Sequence, residues 1–179
     1  METAITQAKY TDGKPIVVRY ADDFVILHPN KDELQKAADT AAAWLQDMGL
    51  CLSPNKTRVT HTLVPVGGNV GFDFLGFSVR QYQMGKTHTG RNTHREPLGF
   101  KTLIRPSKES IKRHTHEVKL LVRKRRNAPQ QAVIRDLNPI IRGWTNYFKW
   151  SVCTQAFSSC DHNTFSSSTD GDRQNNKGK

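Results

Sequence analysis

The stretch Ile16-Val17-Val18-Arg19-Tyr20-Ala21-Asp22-Asp23-Phe24-Val25-Ile26-Leu27 decides the fold of the amino-terminal part of this chain. Two β-prone runs, 16–18 and 24–27, flank a short polar step. This is the pattern of an antiparallel hairpin with Ala21, Asp22 and Asp23 at or near its turn. Two carboxylates are thereby presented at the end of two apolar strands. Phosphoryl transfer from a nucleotide uses two divalent cations about 4 Å apart, held by hard oxygen ligands, and Asp22 and Asp23 can supply part of such a site. Alternation along the strand points one carboxylate, Asp22, at the metals, with Tyr20 on the same face two residues back. The competing reading is an ordinary hydrophilic turn.

Working outward, Asn30 with Glu33 three residues later makes a capping-box-like helix start. Leu34, Ala37, Ala38, Ala41, Leu45 and Met48 then recur at helical spacing until Gly49. A helix over 31–48 follows from that spacing. Leu50-Cys51-Leu52 predicts a short strand, Ser53-Pro54-Asn55 a turn, and 58–62 a further extended stretch. After Gly67-Gly68, the run 70–82 carries Phe72, Phe74, Leu75, Phe77 and Val79, an aromatic-rich strand or tight strand pair.

Charge divides the 179 residues more sharply than hydropathy does. Lys and Arg number 27 against 16 Asp and Glu, for a net charge of +11. Residues 1–98 hold 11 basic and 10 acidic groups, residues 99–150 hold 13 and 3, and residues 151–179 hold 3 and 3. Such a concentration of positive charge predicts a polyanionic partner. In the basic stretch the pattern is helical. Ser107 caps a helix to about Arg126 with Ile111, Val118, Leu121 and Val122 as its apolar stripe. Asn127-Ala128-Pro129 breaks it, a second helix runs to Leu137, and Asn138 with Pro139 begins a third. Trp144, Tyr147 and Trp150 lie at helical spacing, which favours core over base stacking. Beyond residue 158 apolar residues are too few to offset the entropy of ordering, which predicts a disordered tail over 158–179.

Three cysteines, Cys51, Cys153 and Cys160, fit neither a zinc motif nor a disulfide framework, so a reducing, cytoplasmic setting is expected. No apolar run approaches the roughly 20 residues of a membrane span, and no membrane partner is expected. His114 and His116, two apart on one helix, point to different sides and do not share a metal.

Leu52-Ser53-Pro54-Asn55-Lys56-Thr57 and Phe74-Leu75-Gly76-Phe77 follow the acidic hairpin in order. Further on stands Leu137-Asn138-Pro139-Ile140-Ile141-Arg142-Gly143-Trp144-Thr145-Asn146-Tyr147-Phe148. Together these segments, over roughly 16–157, resemble the later palm motifs and maturase-specific thumb of group II intron reverse transcriptases. The twelve-residue segment is the more specific signal, since a tetrapeptide with two acids arises readily by chance.

The resemblance implies an α+β fold: part of a polymerase palm over 1–83, a linker over 84–99, a small all-α thumb-like helical bundle over 100–157, and the tail. It implies catalytic roles for Asp22, Asp23 and Lys56, with Mg2+ held by Asp22 and Asp23. Lys56 is then the proton donor to the leaving pyrophosphate or, on the plainer reading, a solvated turn lysine. Tyr20, Ala21, Phe74, Leu75 and Gly76 position substrate. Lys112, Arg113, Lys119, Arg123, Lys124, Arg125, Arg126 and Arg142 face RNA. The implied partners are group II intron RNA and, in a complete enzyme, RNA template, DNA primer and dNTP.

The family's other catalytic aspartate would precede residue 1, so a missing amino-terminal reverse transcriptase portion is a further expected partner, and no polymerase activity is expected from the chain alone. The competing functions are a fragment of an RNA-directed DNA polymerase, a stand-alone RNA-binding maturase-type module, and an inactive remnant.

Overall fold

The computed structural model describes residues 1–85, 88–158 and 160. They form an α+β fold in two compact units divided between Val59 and Thr60.

In the first unit, helix α1 (Glu2–Gln7) precedes a hairpin of β1 (Ile16–Tyr20) and β2 (Asp23–Leu27), and helix α2 (Lys31–Asp47) follows. The hairpin register runs from Ile16 opposite Leu27 to Tyr20 opposite Asp23, leaving a two-residue loop of Ala21 and Asp22. One sheet face carries Val17 and Ile26, which pack with Met1 and Tyr10 against a core of Ile5, Ala37 and Ala41. Small alanines on α2 let α1 approach closely. The other face leaves Ile16, Val18 and Tyr20 exposed.

Helix α2 begins where its cap predicts. Asn30 Oδ1 accepts from the Asp32 amide at 2.9 Å. The reciprocal half of the capping box is absent: the Asn30 amide donates to His28 Nδ1 at 3.1 Å, and Glu33 Oε1 accepts from Thr11 at 2.8 Å and Lys36 at 2.9 Å. These two bonds, Lys36 first, hold the Glu33 carboxyl below its usual pKa. At the other end Gly49, with φ +72, donates to Gln46 O at 2.9 Å, and Leu50 donates to Leu45 O at 2.8 Å. This is a Schellman closure. It also explains why the strand expected at Leu50-Cys51-Leu52 does not form: the Leu50 amide is spent on the helix, and no ladder bonds reach the segment.

The second unit contains a three-stranded antiparallel sheet in the order β3 (Phe72–Phe74), β4 (Phe77–Gln83), β5 (Phe100–Pro106), then helices α3 (Lys108–Lys124) and α4 (Gln130–Phe148). The aromatic run thus resolves into the strand pair β3–β4. Strand β5 departs from the expectation that helices begin after Gly99. Phe100, Thr102 and Ile104 alternate with Lys101, Leu103 and Arg105, and the basic residues mask that period of two.

Ser107 caps α3 as expected, its Oγ accepting from the Ser110 amide at 3.1 Å. The three expected helices are two, because α4 runs through Pro139. Proline removes one helical N–H and crowds the carbonyl four residues back. Asn138 and Pro139 are both exposed, at a shallow open hollow they line with Gln131, Ile134, Arg135 and Arg142, so the freed Arg135 carbonyl is on the wet side of the helix. A further helical turn occupies 154–158. The expected disordered tail lies almost wholly outside the described residues. Among the described residues no helix is long and apolar enough to cross a membrane.

Candidate nucleic-acid interface and acidic turn

The acidic turn is fully presented to solvent. Ala21 adopts φ +54, a left-handed conformation that lets two residues close the hairpin. Asp22 follows in the loop and Asp23 opens β2, and both are exposed. Among the described residues neither carboxylate makes an ion pair or a side-chain hydrogen bond. Tyr20 shares a face with Asp23 rather than with Asp22, because the two-residue loop interrupts the strand alternation on which the sequence expectation rested.

Lys56 sits exposed in the turn after Ser53, whose carbonyl accepts from the Lys56 and Thr57 amides at 3.1 and 2.9 Å. No hydrogen bond or ion pair joins it to Asp22 or Asp23. The two carboxylates are hard donors of the kind Mg2+ prefers, but among the described residues no third His, Cys, Asp or Glu gathers with them. A two-metal centre needs more ligands than this pair provides.

Phe74, Leu75 and Gly76 belong to the second unit. Leu75 and Gly76 form the two-residue turn between β3 and β4, with φ +50 and +78, as in a type I′ turn. The helices grip this turn. Leu75 O accepts from Tyr147 Oη at 3.0 Å and Gly76 O from the Ser107 amide at 2.8 Å. The Phe77 ring lies 5.3 Å from Tyr147 and 4.8 Å from Phe148. A Cβ on Gly76 would stand 3.6 Å from Phe148 and 3.7 Å from Ser110 Oγ.

Helix α3 buries Ser110, His114 and Val118 at intervals of four, which fixes its outward face. Lys112, Arg113, Lys119, Arg123, Lys124, Arg125 and Arg126 are all exposed. Arg125 is committed to Asp136 by a 2.7 Å ion pair, which ties the end of α3 to the start of α4. Arg142 is exposed on α4, at the edge of the hollow around Pro139.

His114, set aside as a metal ligand, has a different position. It is 5% exposed, and its ring stacks on Trp144 at 4.6 Å and 11°. Burial holds its pKa below the usual histidine value, with Glu117 opposing. Trp144 also meets Phe148 and Phe157, so it is core as its spacing suggested. Trp150 is the exception. It is 88% exposed, with the Lys149 ammonium 5.2 Å from its ring.

Comparison with known families resolves what these segments are. A reverse transcriptase (RNA-dependent DNA polymerase) model matches residues 1–79, and a group II intron, maturase-specific domain model matches residues 111–169. The chain belongs to the group II intron reverse transcriptase/maturase family. No curated protein matches it. The reverse transcriptase match takes in the acidic turn and the whole first unit, and ends at Val79 inside β4. The maturase-specific match begins at Ile111, one turn into α3, and covers all of α4. Enzymes of the reverse transcriptase family generally use Mg2+. Arg80, Lys101 and Arg105 lie far apart in sequence and become a group only when β5 pairs with β4.

Proposed function

We propose that this chain binds group II intron RNA through the basic face of α3 and α4. The observation that carries this reading is the segregation of charge on α3: its buried face is Ser110, His114 and Val118, while Lys112, Arg113, Lys119, Arg123 and Lys124 are exposed and unpaired among the described residues. Cations so placed neutralise phosphates and release condensed counterions, which makes affinity steeply salt-dependent. Helix capping accounts for Arg123 and Lys124 near the α3 terminus, but not for Lys112, Arg113 and Lys119 further along.

Titrating labelled intron RNA at several salt concentrations tests the reading. The expected slope of log K against log salt is negative by about 0.7 to 0.9 per phosphate contact. Replacing Arg123 and Lys124 by Ala lowers that slope without changing RNA sequence preference. A flat slope sinks the proposal.

Copying of RNA into DNA, with template, primer and dNTP, is the second reading, and the Asp22–Asp23 turn supports it. Two exposed, unpaired carboxylates at a hairpin tip suit a share in a Mg2+ site whose other ligands come from an additional reverse transcriptase portion. A splicing-assisting role rests on the maturase-specific match.

A further inference from the structure

Strands β4 and β5 bring together a second set of cations, on the opposite side of the sheet from Phe77 and Phe148. In the register, Ser78 stands opposite Arg105, Arg80 opposite Leu103, and Tyr82 opposite Lys101. Directly opposed residues share a sheet face, so Arg80, Tyr82, Lys101 and Arg105 lie together. The side chains confirm it: the Arg80 guanidinium lies 4.9 Å from the Tyr82 ring centroid, and the Arg105 guanidinium 5.5 Å from the same centroid. Two like charges therefore converge on one half-buried aromatic ring.

That convergence costs Coulomb energy, which the ring quadrupole offsets only in part. Among the described residues no anion relieves it. Asp73, the carboxylate on this sheet face, stands opposite Ser78 and pairs with neither arginine. Among the described residues neither guanidinium makes a hydrogen bond or ion pair, so the planar forks keep their N–H donors. Arg80 and Lys101 are exposed. Stacking on Tyr82 restricts the arginines before any ligand arrives, which reduces the entropy lost on binding.

We propose that this outer sheet face is an RNA-backbone contact, with Arg80 and Arg105 clamping phosphate oxygens and Lys101 engaging a neighbouring phosphate. A phosphodiester matches the paired forks in charge and geometry. The inference rests on the RNA-binding reading above and adds to it a surface separate from the α3 face.

The test uses the full chain and a fluorescein-labelled, mixed-sequence, single-stranded 20-nucleotide RNA, with binding measured across salt. Arg80→Gln with Arg105→Gln should weaken binding and reduce the log–log salt slope by about 1.4, at about 0.7 per phosphate. Lys101→Gln leaves both arginines over the Tyr82 ring and should reduce the slope by about 0.7, which keeps the proposal testable if the double variant fails to fold. Arg80→Lys with Arg105→Lys should retain the slope but lose affinity, since the ammonium lacks the fork.

An unchanged slope in both Gln variants, alongside a reduced slope for Arg123→Ala with Lys124→Ala, overturns the sheet contact and leaves RNA binding by α3 intact. A flat slope for the unaltered chain overturns both.

Discussion

Two hairpins of this chain close with the same economy and put the result to opposite uses. At Ala21-Asp22 and at Leu75-Gly76 a two-residue loop joins antiparallel strands, and in each the first loop residue is a non-glycine at positive φ, +54 and +50. The first tip is exposed, and its carboxylates make no hydrogen bond or ion pair among the described residues. The second is fastened by Tyr147, Ser107 and the Phe77 stack. Backbone strain at a tip is kept only where something requires it. At Leu75 the requirement is visible as packing and hydrogen bonds. At Ala21 no such fastening is present among the described residues.

The sharpest way to break the contrast is at the fastened tip. Phe148→Ala, at a residue 2% exposed, removes the ring on which Phe77 and Trp144 rest. It should cost about 3–5 kcal/mol in a denaturant melt. Gly76→Ala comes next. The space around Gly76 admits a methyl group at van der Waals distance, so the penalty comes from φ +78 and should be roughly 1–2 kcal/mol. The reverse change at the open tip, Ala21→Gly, relieves φ but adds unfolded-chain entropy, and should fall within about 0.5 kcal/mol of neutral. A large loss on Ala21→Gly would mean that the open tip is fastened after all.

The stacked histidine gives the fastened region a pH response. His114 has a folded pKa below its unfolded value near 6.5. The folded form therefore binds protons less readily than the unfolded form, so stability is full above that value and falls as pH drops below it. Thermal melts between pH 7.5 and 5 should show that decline, and His114→Gln should flatten it. A decline of the same size in His114→Gln would assign it to other groups. The smallest effect belongs to the open tip. Asp22→Asn and Asp23→Asn, both exposed and unpaired, should each change stability by less than about 0.5 kcal/mol. Any larger loss would reveal a structural role for a pair that the fold leaves free.

Much of this was legible in the residues, for identifiable reasons. Helix α2 announces itself because cap, apolar period and terminal glycine agree at Asn30, Ala37, Ala41 and Gly49. The acidic turn is legible because its strands are short, apolar and nearly adjacent. Strand β5 was hidden by two cations, Lys101 and Arg105, whose partners lie on β4, some 20 residues earlier, and pairing at that range leaves no local mark. Pro139 misled for a different reason. Asn-Pro is a good helix start, but solvent on the outer side of α4 tolerates the lost hydrogen bond, and the flanking apolar residues carry the helix through. The stacking of His114 on Trp144 was not legible, because that contact belongs to the α3–α4 pair rather than to its own helix. The cations of α3 are exposed, yet Arg125 is engaged with Asp136 on the neighbouring helix, which spacing alone does not reveal.

Strand β4 carries a consequence for how such chains can be cut and recombined. The reverse transcriptase match ends at Val79, midway along it, yet Val79 stands in one sheet between Ile104 and Phe72, and that sheet rests on the helices of the maturase-specific segment. An exchange of genetic material at the family boundary would split a strand and leave Phe72, Phe74 and Phe77 facing water. The seam that the fold tolerates lies some 20 residues earlier, between Val59 and Thr60. Chimeras joined there should express as soluble protein, while those joined at Val79 should aggregate.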